Sequence, residues 1–222
     1  MATQLIESIL KTNSHIGSMV KNSHSKTKAF QLWKSNGVMV IDPEKIAQQL
    51  ENAKERVQLS LSNNQQILII CEKFMYSDKI EQLAEKRGIH YFVYNTPAWV
   101  LTNFDTVLQR IKWMNDLQKF IASEEFTKIT KKEQWMKRRE LGKVQKIYAW
   151  VKNLTKKPDM TIIVDGKAMG KFVDEVKKIG AQNIVISTTD FNHFRNEDSL
   201  VITNVNNYDS LNFALSYIFW IK

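Results

Sequence analysis

Three stretches carry residue types that could do chemistry where an apolar strand gives way to a helix: Asp42-Pro43-Glu44, Cys71-Glu72-Lys73 and Val164-Asp165-Gly166-Lys167. Open α/β sheets bind ligands beyond the carboxyl ends of their strands, and phosphates there need a glycine-rich turn whose amides converge on them. None of the three has such a turn. Asp165 therefore reads as a turn or capping residue before it reads as a catalytic acid. His15, His24, His90 and His193 lack metal-ligand spacing, and Cys71 is the single cysteine, so neither a thiolate cluster nor an intrachain disulfide can form. Within the apolar run from Ile67, Cys71 reads as a small buried hydrophobe. A Gly-x-Ser-x-Gly elbow is absent. This inventory favours binding over catalysis, with no cofactor, metal or small-molecule substrate expected.

Basic side chains are the remaining candidates, and they are concentrated. Residues 1–40 hold five Lys against one Glu (net +4), residues 41–102 net −1, residues 103–152 twelve basic against six acidic (net +6), and residues 153–222 balance. The overall +9 thus resides in two limbs. In the first, Lys21, Lys26, Lys28 and Lys34 are interleaved with His15, His24, Phe30 and Trp33, a mixture suited to phosphates and to stacking on bases, or to an ordinary solvated loop. In the second, Lys131, Lys132, Lys137, Arg138 and Arg139 crowd nine positions. Neither limb shows the wide apolar face of a membrane-surface helix, and no apolar stretch is long enough to span a bilayer. A polyanion, nucleic acid before membrane, is the partner this distribution implies.

Periodicity supplies the elements that must position these groups. Residues 103–152 predict two long helices folded back on each other as a coiled coil. The first starts at the N-cap type Asn103 with a seam of Phe104, Val107, Ile111, Met114 and Ile121, Leu108 and Leu117 lying beside it. The second opens on a Thr130-to-Glu133 capping box and continues through Leu141, Val144, Tyr148 and Val151. Gln134 and Lys137 break that seam, which makes the basic end a polar tip. On either side, short apolar strands at 66–71, 89–94, 161–164, 183–187 and 200–203 alternate with helices, the pattern of a parallel sheet covered on both faces. Residues 1–12 predict an amphipathic helix and Val38–Ile41 a short buried strand, followed by a helix with Pro43 at its first position. Asn13 to Asn36 predicts no regular structure before the Asn36-Gly37 turn. The chain divides into residues 1–102 (arm and first α/β half), 103–152 (inserted helical hairpin) and 153–222 (second half).

Several words occur in one order along nearly the whole chain: Ser14-His15-Ile16-Gly17, Lys28-Ala29-Phe30, Asn36 to Lys45, Leu101-Thr102-Asn103-Phe104, Phe126 to Glu133, Arg139-Glu140-Leu141 and Pro158 to Asp165. Together they resemble the bacterial-type small-subunit ribosomal protein two family. That resemblance implies a flavodoxin-like α/β fold with a protruding helical hairpin, no catalysis, and binding to small-subunit rRNA and neighbouring ribosomal proteins. The chain departs from the family at Ala98-Trp99-Val100, where two glycines are usual, at Ser18 in place of a second histidine, and at Ser187-Thr188-Thr189-Asp190 in place of an Asp-Thr-Asn turn. Trp99 and Val100 are accordingly expected to meet a partner. A Lys- and Asn-rich version of this kind is expected in a mitochondrial ribosome, with the bacterial cytoplasm or a plastid as the alternative setting; the first fifty residues contain no Arg, so an Arg-rich transit sequence is not expected. Rival readings are a flavodoxin-like ligand-binding module or enzyme, and a membrane-surface or partner-binding coiled coil.

Overall fold

The computed structural model of the chain describes residues 2–93, 96–97, 99–193 and 199–220. Helix α1 (Ala2–Lys11) buries Leu5 and Ile9. Three strands follow, β1 (Ile16–Met19), β2 (Gln31–Ser35) and β3 (Val38–Ile41), joined as an antiparallel sheet in the order β1-β3-β2. Asn36 and Gly37 both have positive φ (47° and 77°), so β2 and β3 are closed by the two-residue turn that an Asn-Gly pair favours. This corrects the expectation for residues 13–36. Polar strands of four and five residues carry no apolar alternation of their own, and their pairing to β3 is what makes them strands. Val38–Ile41 likewise belongs to this small sheet and not to the parallel one.

Helix α2 (Pro43–Ser62) starts at Asp42, whose carboxylate accepts from the Glu44 amide, and it leads into β4 (Ile67–Ile70), α3 (Ser77–Arg87) and β5 (His90–Phe92). Beyond α4 (Phe104–Ala122), α5 (Glu125–Lys128) and α6 (Lys131–Tyr148) come β6 (Met160–Val164), α7 (Gly170–Ile179), β7 (Gln182–Ser187), β8 (Ser199–Ile202) and α8 (Tyr208–Ile218). β4 to β8 form one five-stranded sheet in the order β5-β4-β6-β7-β8, every neighbouring pair parallel. Side chains alternate across it. Ile69, Ile162, Val164, Ile184 and Ile186 face a core closed by α1, α2, α3 and α8, while Leu68, Ile70, Ile163 and Val185 face a second core made with α7 and the first turns of α4. The buried parallel strands are therefore apolar on both faces, as their composition requires.

α4 and α6 pack on each other through Met114, Leu117 and Leu141, with Trp113, Ile121, Val144 and Tyr148 around them. Leu117 replaces Ile121 as the buried residue of the last α4 turns, because a straight helix repeats every 3.6 residues and drifts off a strict seven-residue seam. The capping box is present: the Glu133 amide donates to Thr130 Oγ1 (3.3 Å) and the Thr130 amide donates to Glu133 Oε2 (3.0 Å). The Thr130 hydroxyl, donating to the same carboxylate at 2.8 Å, and then the Thr130 amide hold the Glu133 carboxyl below its ordinary range. Asn103 does sit at the N-cap of α4, but its Oδ1 accepts from the Thr106 hydroxyl (2.7 Å) and from no backbone amide.

Candidate nucleic-acid interface

The first basic limb meets the α/β body at Thr189, just past β7. Its carbonyl accepts from the His24 amide (2.9 Å) and from the buried Thr27 hydroxyl (2.7 Å), and its own hydroxyl accepts from the Ser18 amide (2.9 Å). Gly17 allows that approach, since a β-carbon there would lie 2.8 Å from Thr189 Cγ2 and 2.9 Å from the Met39 carbonyl oxygen. Gln31 ties the segment to itself through Ser23 and Thr27. With its backbone held in this way, the limb presents Lys21, Lys26, Lys28 and Lys34 outward, all exposed. The Lys26 ammonium reaches back to the Asn192 carbonyl at 3.4 Å.

The second limb is the start of α6. Lys131 and Lys132 occupy its first two positions, where the helix dipole already places positive charge, at a cost of roughly 0.3–1 kcal/mol each. A nearby anion would be attracted by the lysines and the helix N-terminus together and so offset that cost. Arg138 lies over the Phe126 ring (5.4 Å) and Arg139 over the Trp135 ring (5.2 Å), so two guanidinium groups are oriented by aromatic faces. Lys137 is half-exposed and paired with Glu140 at 3.7 Å, an i,i+3 surface pair. Of the five charges, Lys137 is thus the one partly neutralised within its own helix. Phe126, buried edge-on against Phe120, covers the stretch where the α6 seam turns polar. The one-turn helix that carries it is too short for periodicity to announce.

At the carboxyl edge of the parallel sheet, the position of a nucleotide in many α/β folds, the chain's own side chains close on one another. Asp165 pairs with Lys73 at 2.8 Å, and the same ammonium donates to Asn206 Oδ1 (2.7 Å) and the Val205 carbonyl (3.2 Å). Lys167 pairs with Asp190 at 2.8 Å. The space above Gly166 is filled by Val185 and Phe191, either of which a β-carbon would meet at 2.5–2.8 Å. Burial pushes the Cys71 thiol up to about 11 and raises the Tyr76 phenol, whose hydroxyl donates to Val205. Among the described residues no group of three or more potential ligands could hold a metal ion, and no helix is long and apolar enough to cross a membrane.

The sequence that builds these limbs and this sheet edge matches a protein-family model. The model of that family, described as ribosomal protein S2, matches residues 9–219. This chain belongs to the ribosomal protein S2 family. Similar proteins include the small ribosomal subunit protein uS2 of Synechocystis sp., 32% identical over 181 residues that cover 82% of this chain and 67% of that protein. The uS2 proteins of Coprothermobacter proteolyticus and Dictyoglomus thermophilum are each 30% identical over 189 residues, covering 85% of this chain and 70% and 77% of theirs.

Within this S2-family chain two of the departures noted above prove to be structurally linked. Ser18 and Thr188-Thr189 contact each other, by the Ser18 amide to Thr189 Oγ1 and by paired hydroxyls of Ser18 and Thr188 at 3.4 Å. Trp99 adopts φ 62°, a left-handed conformation natural to glycine, and exposes 61% of its surface with the Lys178 ammonium 5.6 Å from the ring centre. Val100 corrects its expectation: it is 1% exposed, packed inside its own fold with Leu101 and Phe104, and so presents no surface to a partner. Ala98 lies outside the described residues.

Sequence reasoning missed the group that fixes the root of α4. Glu175, on α7 and 4% exposed, accepts through Oε1 from the Leu101 amide (2.7 Å), the Thr102 amide (2.6 Å) and the Thr102 hydroxyl (3.0 Å). Its only signal was an acid on the apolar face of an otherwise amphipathic helix, Phe172-Val173-Asp174-Glu175-Val176. Which donors would meet it is decided by a segment about seventy residues earlier.

Proposed function

We propose that this chain is a non-catalytic structural component of a small ribosomal subunit. It binds rRNA through Lys21, Lys26, Lys28 and Lys34 on the N-terminal limb and through Lys131, Lys132, Lys137, Arg138 and Arg139 at the start of α6, and it packs on neighbouring ribosomal proteins through surface that includes Trp99. The observation that carries this reading is the S2 family match across residues 9–219. It is supported by the location of the net charge in residues 1–40 and 103–152, and by the sheet edge being filled with internal ion pairs where a ligand-binding module would keep a cleft. Lys and Arg on such limbs neutralise phosphates and release counterions, which positions the protein without reading sequence. We take residues 103–152 as the unit inserted between the two α/β halves, 1–102 and 153–222, and as the coiled-coil limb that carries the α6 charges to the RNA.

We further assign the ribosome to a mitochondrion, on the Lys- and Asn-rich composition and its departures from the family words; the relatives cited above are bacterial. Gradient sedimentation of the tagged protein from fractionated cells tests both levels. Comigration with a small-subunit particle in the organellar fraction is expected, comigration in a cytoplasmic fraction removes the mitochondrial setting alone, and absence from any such particle ends the ribosomal reading. For the α6 cluster, Lys137, Arg138 and Arg139 all changed to Glu should flatten the salt dependence of binding to duplex RNA, taken to behave like duplex DNA, by about 0.9 log unit for each phosphate no longer neutralised. Unchanged slope and affinity would confine RNA binding to the N-terminal limb.

A further inference from the structure

The small antiparallel sheet has a face of its own. Met39 and Ile41 of β3 point into the core at 6% and 0% exposure, so Val38 and Val40 between them point outward. Strand pairing fixes their neighbours: Trp33 and Ile16 both stand opposite Val40, and Ser35 and Met19 both stand opposite Val38. Directly opposed residues of antiparallel strands share a face, so the outer surface carries the row Trp33, Val40, Ile16 and, about 7 Å along, the row Ser35, Val38, Met19. Trp33 is 59% exposed, Met19 55% and Ile16 37%. Lys21 and Lys28 flank these strands, exposed, and none of the salt bridges found among the described residues involves them, whereas Lys34, opposite Met39, stands on the other face.

We propose that this face binds unpaired RNA, one base stacking on the Trp33 indole beside the aliphatic rows while Lys21 and Lys28 hold the phosphates on either side. This rests on the RNA-binding reading above and specifies the form of RNA taken. Charge decides between RNA and a protein partner: residues 1–40 contain five lysines and one acid, Glu7, so an apolar protein surface laid on the sheet would desolvate the rim and leave its ammonium groups without counterions. A nucleotide satisfies ring and ammonium together. The form follows from geometry, since bases inside an A-form duplex are stacked on each other and only a splayed base can lie flat on an indole.

The test compares a single-stranded RNA dodecamer of unstructured sequence with a duplex of the same length, titrated onto the full chain as wild type, Trp33→Leu and Trp33→Phe, with thermal melts to check folding. Trp33→Leu keeps apolar volume but cannot stack. It should weaken single-strand binding about tenfold while duplex binding and both salt slopes stay as in wild type. Trp33→Phe should retain most of the single-strand affinity. Wild-type single-strand affinity in Trp33→Leu, or equal weakening on the two RNAs, overturns the stacking site. Absence of Trp33→Leu from ribonucleoprotein particles only when other ribosomal proteins are present, with both free RNAs bound normally, would show that the face docks protein and overturns it as well. Failure of the wild type to bind either RNA would strike the RNA-binding reading itself, a separate result.

Discussion

Glu175→Ala isolates the bond between the second half of the chain and the root of α4. The variant removes the acceptor of three hydrogen bonds, at 2.7 Å from Leu101 N, 2.6 Å from Thr102 N and 3.0 Å from Thr102 Oγ1. Leu101 is fully buried, so its amide is left without a partner at about 1–3 kcal/mol. The Thr102 amide and hydroxyl are nearer to solvent and rehydrate, each costing about 0.5–1.5 kcal/mol. A cavity of about 460 Å3 bordered by Glu175, Phe172 and Trp99 can admit water to the vacated site, which favours the lower end of the range. Relief of a buried charge acts in the same direction. The sum is about 2–4 kcal/mol, a large share of the roughly 5–15 kcal/mol by which a domain is folded, and about 5–15 °C in melting temperature for a chain of this size. Denaturant unfolding measures the loss, and amide hydrogen exchange locates it, with Leu101, Thr102 and the first turn of α4 exchanging faster than the β4–β8 strands. Glu175→Gln keeps one neutral acceptor and should lose about half as much. Stability within about 0.5 kcal/mol of wild type, or faster exchange spread evenly over the sheet, would refute the anchoring role.

Four further outcomes follow from single residues. Gly17→Ala puts a β-carbon 2.8 Å from Thr189 Cγ2 and 2.9 Å from a backbone carbonyl, so it should push the first limb off Thr189, at about 1–3 kcal/mol, and speed tryptic cleavage after Lys21, Lys26 and Lys28; unchanged cleavage would show that the docking is not tight. Trp99→Gly relieves a left-handed φ of 62° worth about 1 kcal/mol but frees the unfolded chain by a similar amount, so stability should hold within about 0.5 kcal/mol despite the removal of a large side chain, and a drop above about 1.5 kcal/mol would mean that the indole is packed. Burial lowers the pKa of His90 below its ordinary 6.5, so the unfolded chain binds its proton more readily; stability should fall as pH drops from about 7 through 6.5, and His90→Gln should flatten that part of the stability–pH curve. The Cys71 thiol, fully buried and raised to about 11, should resist a disulfide reagent at pH 8 until the protein unfolds, and rapid native labelling would contradict its placement.

The sequence by itself determined the parallel sheet and the two long helices. Apolar runs such as Ile67–Ile70 and Ile184–Ile186, punctuated by Gly88 and Gly180 at φ 66°, have few other ways to bury both sides of a strand, and Thr130-Lys131-Lys132-Glu133 encodes a helix start within four residues. Charge location was legible for the same reason, because ionised side chains stay exposed unless paired, and Lys21, Lys28, Lys131, Lys132 and Arg139 are on the surface. Tertiary structure alone decided what depends on partners distant in sequence. The strands of residues 16–35 exist because β3 pairs with them on both sides, and the first limb is held because Thr189 lies within hydrogen-bond reach. Val100 went to the core while its neighbour Trp99 stayed outside, although both are large and apolar. Local pattern cannot separate such cases, since the free energy of burying a side chain or satisfying an amide is set by whichever surface arrives opposite it, here Glu175 of α7 against Leu101 and Thr102.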